Sequence, residues 1–375
     1  MFGNVIEPKD LVNNITNIEI PIDTEPKFVS FEDYFDPRFP RWISIALFFI
    51  GLIGNTICLI IFSQKNMRKY STFVYLAFLS IVDLFVLTLG LGDIILISYL
   101  HYVIRNQSLI ICRLLSFLIY ASTHLSSFIL ASVSIDRAIA TNFINFSKIY
   151  CKPKVAYRII FINIFLATLI NFHSFIFLGY EEQVLVENFT SVDYLEFNLT
   201  HESKSSCICG SQNGTIYDKF LDPYFKLIDL LSYAIIPFFI MAISSYMIIR
   251  VILLSNKRLN RNKKQHQSLL NKKQTQSKST NKAKHLTYTL ITLNCLFFCL
   301  VSPLVLVLIL LNGKETDGSN KIVINIVYLL AYSNHSFNFV LYGFSSPPFR
   351  ESLFRLLRIN QIPKSTNVAN LNNKL

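Results

Sequence analysis

Apolar residues gather in seven long runs, at 42–63, 73–99, 109–134, 156–178, 224–253, 287–311 and 321–344. A bilayer core about 30 Å thick needs roughly 20 apolar residues of α-helix to cross it. Each run meets that length, and none alternates with the short period of a membrane β-barrel. The pattern predicts an all-α membrane protein, a seven-transmembrane helix bundle over 42–344. The polar segment 1–41 contains Pro8, Pro21, Pro26, Pro37 and Pro40 and nothing like a cleavable signal. The first helix is therefore expected to serve as the insertion signal. A polar tail, 345–375, follows the last run.

Composition supports this. Only 15% of the 375 residues are charged, against about 25% in soluble domains. Charge then orients the bundle, because Lys and Arg accumulate on the cytoplasmic side. Lys65, Arg68 and Lys69 follow the first run, and Lys148, Lys152, Lys154 and Arg158 follow the third. Eleven Lys or Arg and no acid occupy 250–284. By contrast, 1–41 has eight acids and four bases, and 179–222 has eight acids and two bases. The N-terminus is expected outside the plasma membrane and the C-terminus inside. The net charge of +12 is then a topology signal rather than a nucleic-acid footprint, and the middle of 250–284 is expected to be a solvated loop.

Sequons at Asn14, Asn188, Asn198 and Asn213 all fall outside on this topology and are candidate glycosylation sites. Cys112, Cys207 and Cys209 also fall outside, where thiols can oxidise. A bridge from Cys112 to Cys209 or to Cys207 would pin the long outer loop over the third helix. Cys58, Cys295 and Cys299 lie in helices, and Cys151 inside.

Polar residues within the runs carry the chemistry. A carboxylate at mid-membrane costs about 2.5–3.5 kcal/mol even on the lenient insertion scale. Asp83 sits in the middle of the second run, with Asn55 in the first, Ser126 in the third, and Asn334 and Asn338 in the seventh. They form either a hydrogen-bonded glue cluster or a cation site, with Asp83 supplying the charge and Ser126, Asn334 and Asn338 the oxygens. No nucleophile, base and metal-spacing set suggests an enzyme. Neither the matched broken helices of a transporter nor the charged rings of a channel are found.

Several motifs in order resemble the rhodopsin-like (class A) G-protein-coupled receptors. They are Gly54-Asn55, Leu79-Ser80-Ile81-Val82-Asp83, Cys112, Asp136-Arg137-Ala138 at 24 residues beyond it, Pro237, Pro303 and Asn338-Phe339-Val340-Leu341-Tyr342. The resemblance covers about 42–358. Departures are Ala138 for Tyr, Val301 in place of the aromatic toggle, Phe339 for Pro, and no acid at the base of the sixth helix. Asn338-Phe339 and the Asp229 and Pro237 segments look similar to invertebrate neuropeptide receptors of the FMRFamide and myosuppressin kind. Ile119 stands where amine receptors carry Asp, and Lys321 is the sole lysine of the last run, near its outer end, so neither a monoamine receptor nor an opsin is expected.

The resemblance implies an extracellular peptide ligand, a heterotrimeric G protein as inner partner, and no cofactor beyond a possible allosteric sodium ion at the Asp83 site. Asp136, Arg137 and Tyr342 would serve coupling. Arg137 would pair with Asp136 at rest and meet the G protein when helix six swings out. Asp93, Tyr120, Asp229, Tyr328 and Tyr332 would face the ligand, and His124 would be a packing hydrogen bonder. Asp229 either pairs with Lys226, one turn away, or waits for a basic group. Asp93 has no Lys or Arg one turn away on its helix, so the ligand's basic group is its expected partner. Residues 349–358 should lie on the membrane surface, with Arg350, Arg355 and Arg358 reaching lipid headgroups. A decoy that binds without coupling is the alternative, since the switch motifs are eroded.

Overall fold

A computed structural model describes residues 41–189, 199–265, 274–310 and 318–357. The sites at Asn14 and Asn198, nearly all of the N-terminal segment and the tail from 358 lie outside the described residues. Helix α1 is Arg41–Phe62 and α2 is Ser71–Leu100, with a π turn at Val86–Leu91. Helix α3 is Leu109–Asn142 and α4 is Pro153–Phe177. Strands β1 (Tyr180–Phe189) and β2 (Leu199–Ile208) form an antiparallel hairpin. Helix α5 starts at Ile216, passes π turns at Phe220–Phe225 and Leu231–Ile235, and ends at Gln265. Helix α6 is Gln274–Leu310. Helix α7 is Gly318–Ser336, resuming after a break as Asn338–Ser345, and α8 is Pro347–Leu356.

Local chemistry sets several boundaries. Ser108 caps α3 by accepting the amide of Ile111 at 3.3 Å, satisfying a donor with no partner in the first turn. Pro153 opens α4, where its missing N–H costs nothing. Among the described residues, six helices are long and apolar enough to cross a membrane. The seventh is interrupted at Phe337 (φ −90°, ψ 0°). The interruption occurs although Phe339 stands where the family resemblance places a proline.

Apolar side chains cover both faces of α4. Ala156, Ile160 and Ala167 are buried in the bundle, while Phe161 is 71% exposed and Phe165 and Leu169 point outward with it. A soluble protein would not leave such a strip in water, and a lipid-facing helix requires it. Small residues let helices approach closely. A Cβ at Gly54 of α1 would fall 2.7 Å from Cβ of Phe339 on α7. The Phe339 ring meets Phe349 of α8 at 5.8 Å, and Phe349 is fully buried among Phe62, Phe339 and Tyr342.

Two expectations change here. The loop expected in the middle of the basic segment, 265–280, is helical from Gln274 on, while 266–273 lie outside the described residues; α5 reaches Gln265 and α6 begins at Gln274. Lys, Arg and Gln are good helix formers, and both ends extend helices already nucleated in the bundle. The surface helix starts at Pro347, two residues before the expected start. Its Arg350 donates to the carbonyls of Gly343 (3.2 Å) and Phe344 (2.6 Å). It therefore caps the end of α7 instead of reaching outward, while Phe354, Leu356 and Leu357 remain exposed.

Candidate functional site

At the hairpin end, Cys112 at the top of α3 is bonded to Cys209, 97 residues away, with Cα atoms 5.5 Å apart. The partner is thus Cys209, and Cys207 keeps a free thiol. Register decides this. Tyr180 pairs with Ile208, so Cys209 lies just past the strand, beside the turn at Gly179. Gly179 has φ +82°, and a Cβ there would fall 3.0 Å from the Cys112 sulfur. Only glycine combines that backbone conformation with that approach. Arg113 holds the same turn by donating from Nε to the Leu178 carbonyl at 2.9 Å. Burial, with the Glu181 charge adding to it, pushes the Cys207 thiol above its ordinary range.

Asp93 is buried and has a partner within the chain. His101 ends α2 in the left-handed conformation (φ 49°), and the following turn, Ile104–Gln107, brings Arg105 back over the helix. Its guanidinium donates to Asp93 Oδ2 from Nε (3.0 Å) and Nη2 (2.5 Å). The expectation that Asp93 lacks a basic neighbour is therefore corrected: its partner lies twelve positions away, off the helix, and is brought back by the chain reversal at His101.

Asp229 behaves differently. Lys226 turns to Asp222 at 2.5 Å, so of the two alternatives the i,i+3 pair with Asp229 does not form. Asp229 instead lies 3.6 Å from His124 Nε2, with its side chain 29% exposed. His124 is fully buried and joins three helices. Its Nε2 is 2.8 Å from Ser232 Oγ, and its Nδ1 is 2.9 Å from the Tyr120 carbonyl and 3.3 Å from Asn171 Nδ2. Two of the expected tyrosines, Tyr120 and Tyr332, lie near these acids. Tyr120 is within electrostatic range of Asp229 and Arg105, and Tyr332 of Asp93, Arg105 and Tyr120. Tyr328 and Asp229 both act on Tyr233, which sequence reasoning had not singled out. A crevice of about 220 Å³ lies deeper, between α5 and α6, bordered by Phe238, Phe297, Phe298 and Val301.

Mid-bundle, Asp83 is fully buried. Ser126 Oγ donates to its Oδ1 at 3.0 Å, and Asn338 Nδ2 to its Oδ2 at 2.6 Å. Those two expected members are in place. The third, Asn334, is not among the hydrogen-bond partners of Asp83, and its buried Nδ2 has none among the described residues. The position is taken by His335, whose Nδ1 is 2.7 Å from Asp83 Oδ1. His335 and Asn338 stand three apart, which also places them on one helix face; this spacing was the missed signal. Asn55 ties α1 to the group, donating to the carbonyls of Gly51 (3.0 Å) and His335 (2.9 Å).

At the opposite end, Arg137 donates to Asp136 Oδ2 from Nε (3.0 Å) and Nη2 (2.5 Å), and from Nη2 to Ser71 Oγ at 3.3 Å. Ser71 also donates to Asp136 at 3.0 Å. The charges thus close on each other and on the start of α2. Cys151 donates its thiol to the Asp136 carbonyl at 3.3 Å. Burial, reinforced by the Asp136 charge, pushes that thiol up to about 11. Tyr342 is buried edge-on against Phe62 at 5.1 Å, and its hydroxyl has no partner among the described residues.

A helical bundle with an ion-paired acid–arginine step at one end, a buried aspartate cluster and a disulfide-pinned hairpin at the other is the architecture of a membrane receptor. The sequence pattern described as 7 transmembrane receptor (rhodopsin family) matches residues 54–342. The chain belongs to that family.

Proposed function

We propose that this receptor binds an extracellular peptide carrying a basic group and transmits the event to a heterotrimeric G protein, with the N-terminus outside the plasma membrane. The observation carrying the reading is the contrast between two acids. Asp93 is already neutralised by Arg105. Asp229 is partly exposed, faces the His124 ring rather than an arginine among the described residues, and shares its surroundings with Tyr120 and Tyr233. A desolvated carboxylate among aromatic rings favours a cation. The acidic outer segments would concentrate a basic ligand by their field. The similarity of Asn338-Phe339 and the Asp229 region to FMRFamide- and myosuppressin-type receptors favours an amidated neuropeptide.

Signalling then needs two states that the ligand distinguishes. Pro303 lies inside α6, where it removes one backbone hydrogen bond and permits a bend. In the other state Arg137 would leave Asp136 and meet the G protein. The test is a panel of amidated peptides applied to cells expressing the chain. A peptide that drives nucleotide exchange on native receptor, and not on Arg137→Ala at equal surface expression, supports the reading. Peptide binding without exchange on any Gα protein would replace it with a decoy.

A further inference from the structure

We propose that His335 is a built-in substitute for the sodium ion at Asp83, so that the conformational equilibrium of this receptor does not respond to sodium. A hard cation binds oxygen lone pairs. Around Asp83 the polarity is reversed. A carboxylate only accepts hydrogen bonds, so each nitrogen facing it must present a hydrogen. Asn338 therefore turns its NH2 group to Oδ2 at 2.6 Å and its carbonyl oxygen elsewhere. The His335 ring presents Nδ1 to Oδ1 at 2.7 Å. Ser126 spends its hydroxyl hydrogen on the same oxygen at 3.0 Å. Of the three residues proposed as oxygen ligands, Ser126 and Asn338 both face Asp83 as donors, and Asn334 makes no hydrogen bond to it.

The cluster is also closed. Asp83, Ser126, His335 and Asn338 are each at most 3% exposed. Asn55 fixes the His335 backbone from α1, so the imidazole is held against the carboxylate from behind. A bound ion can leave when the bundle rearranges, whereas a histidine tethered to α7 cannot. Activation here must then redirect the bonds that join α2, α3 and α7, rather than expel a solute cation.

The experiment compares thermal unfolding of the purified full-length receptor in sodium chloride and in choline chloride at equal ionic strength. Native receptor should give the same midpoint in both salts. His335→Ser removes the ring, supplies a hydroxyl oxygen and frees space beside Asp83. Its midpoint should rise with sodium and level off, and adding Asp83→Asn should abolish the rise. His335→Gln, which keeps an N–H donor of similar reach, should stay insensitive. A native receptor stabilised by sodium but not choline, with the effect lost in Asp83→Asn, would overturn the proposal. So would a folded His335→Ser receptor indifferent to sodium, because His335 would then not be what excludes the ion.

Discussion

Asn294 of α6 donates from Nδ2 both to Ser134 Oγ on α3 and to Ser245 Oγ on α5, each at 3.0 Å. One amide thus ties α6 to both α3 and α5. The Ser134 hydroxyl is shared between the Leu130 carbonyl (2.8 Å) and Asn294 Oδ1 (3.1 Å). The base of α6 lacks an acid for Arg137, since Lys282, Ala283 and Lys284 stand there. The Asn294 bridge is a latch available in its place.

Breaking that latch should raise basal signalling. Interhelical hydrogen bonds in membranes contribute about 0.6 kcal/mol on average and up to about 1.7. Asn294→Leu should therefore increase ligand-free nucleotide exchange by roughly three- to twentyfold by that energy scale. Exchange indistinguishable from native at matched expression would show that the bridge does not hold the closed form.

Release of Arg137 should act in the same direction. Asp136→Asn weakens the ion pair and leaves Ser71 as the remaining partner, so the guanidinium is freed for the inner cleft. Basal exchange should rise, whereas Arg137→Ala should abolish exchange without changing surface expression. A silent Asp136→Asn receptor that still binds ligand would count against the resting pair as a restraint.

The two outer acids should separate stability from potency. Asp93→Asn leaves Arg105 facing a neutral group at a site where both side chains are largely buried. Losing one partner of such a pair costs about 3 kcal/mol, seen as a lower unfolding midpoint. Asp229→Asn should instead reduce agonist potency at least tenfold with little change in midpoint. The opposite assignment of effects would return Asp93 to the role of ligand counter-ion.

Cys151 offers a pH test at the Arg137 end. Its thiol is raised from an ordinary value near 9 to about 11. The thiolate is the reactive form, so a rise of two units leaves about a hundredfold less of it at neutral pH. Alkylation of Cys151 in opened membranes, followed by peptide mapping, should be slow at pH 7 and keep accelerating to about pH 11. A rate that levels near pH 9 would mean the thiol does not stay beside Asp136.

Hydropathy along the chain marked seven apolar runs, because crossing a bilayer sets a length that the hairpin strands and α8 do not reach. The placement of Lys and Arg determined the expected orientation in the same local way. The spacing of Asp136-Arg137 from Cys112 marked the two ends of α3. Contacts between distant residues were decided only in three dimensions. Cys209 rather than Cys207 bonds Cys112 because the hairpin register and the turn at Gly179 bring it there. Arg105 reaches Asp93 because a left-handed residue reverses the chain between them. His335 rather than Asn334 meets Asp83 because helix phase, with a break at Phe337, selects which of two adjacent polar residues points inward. Sequence spacing allowed both; packing against α2 and α3 leaves one.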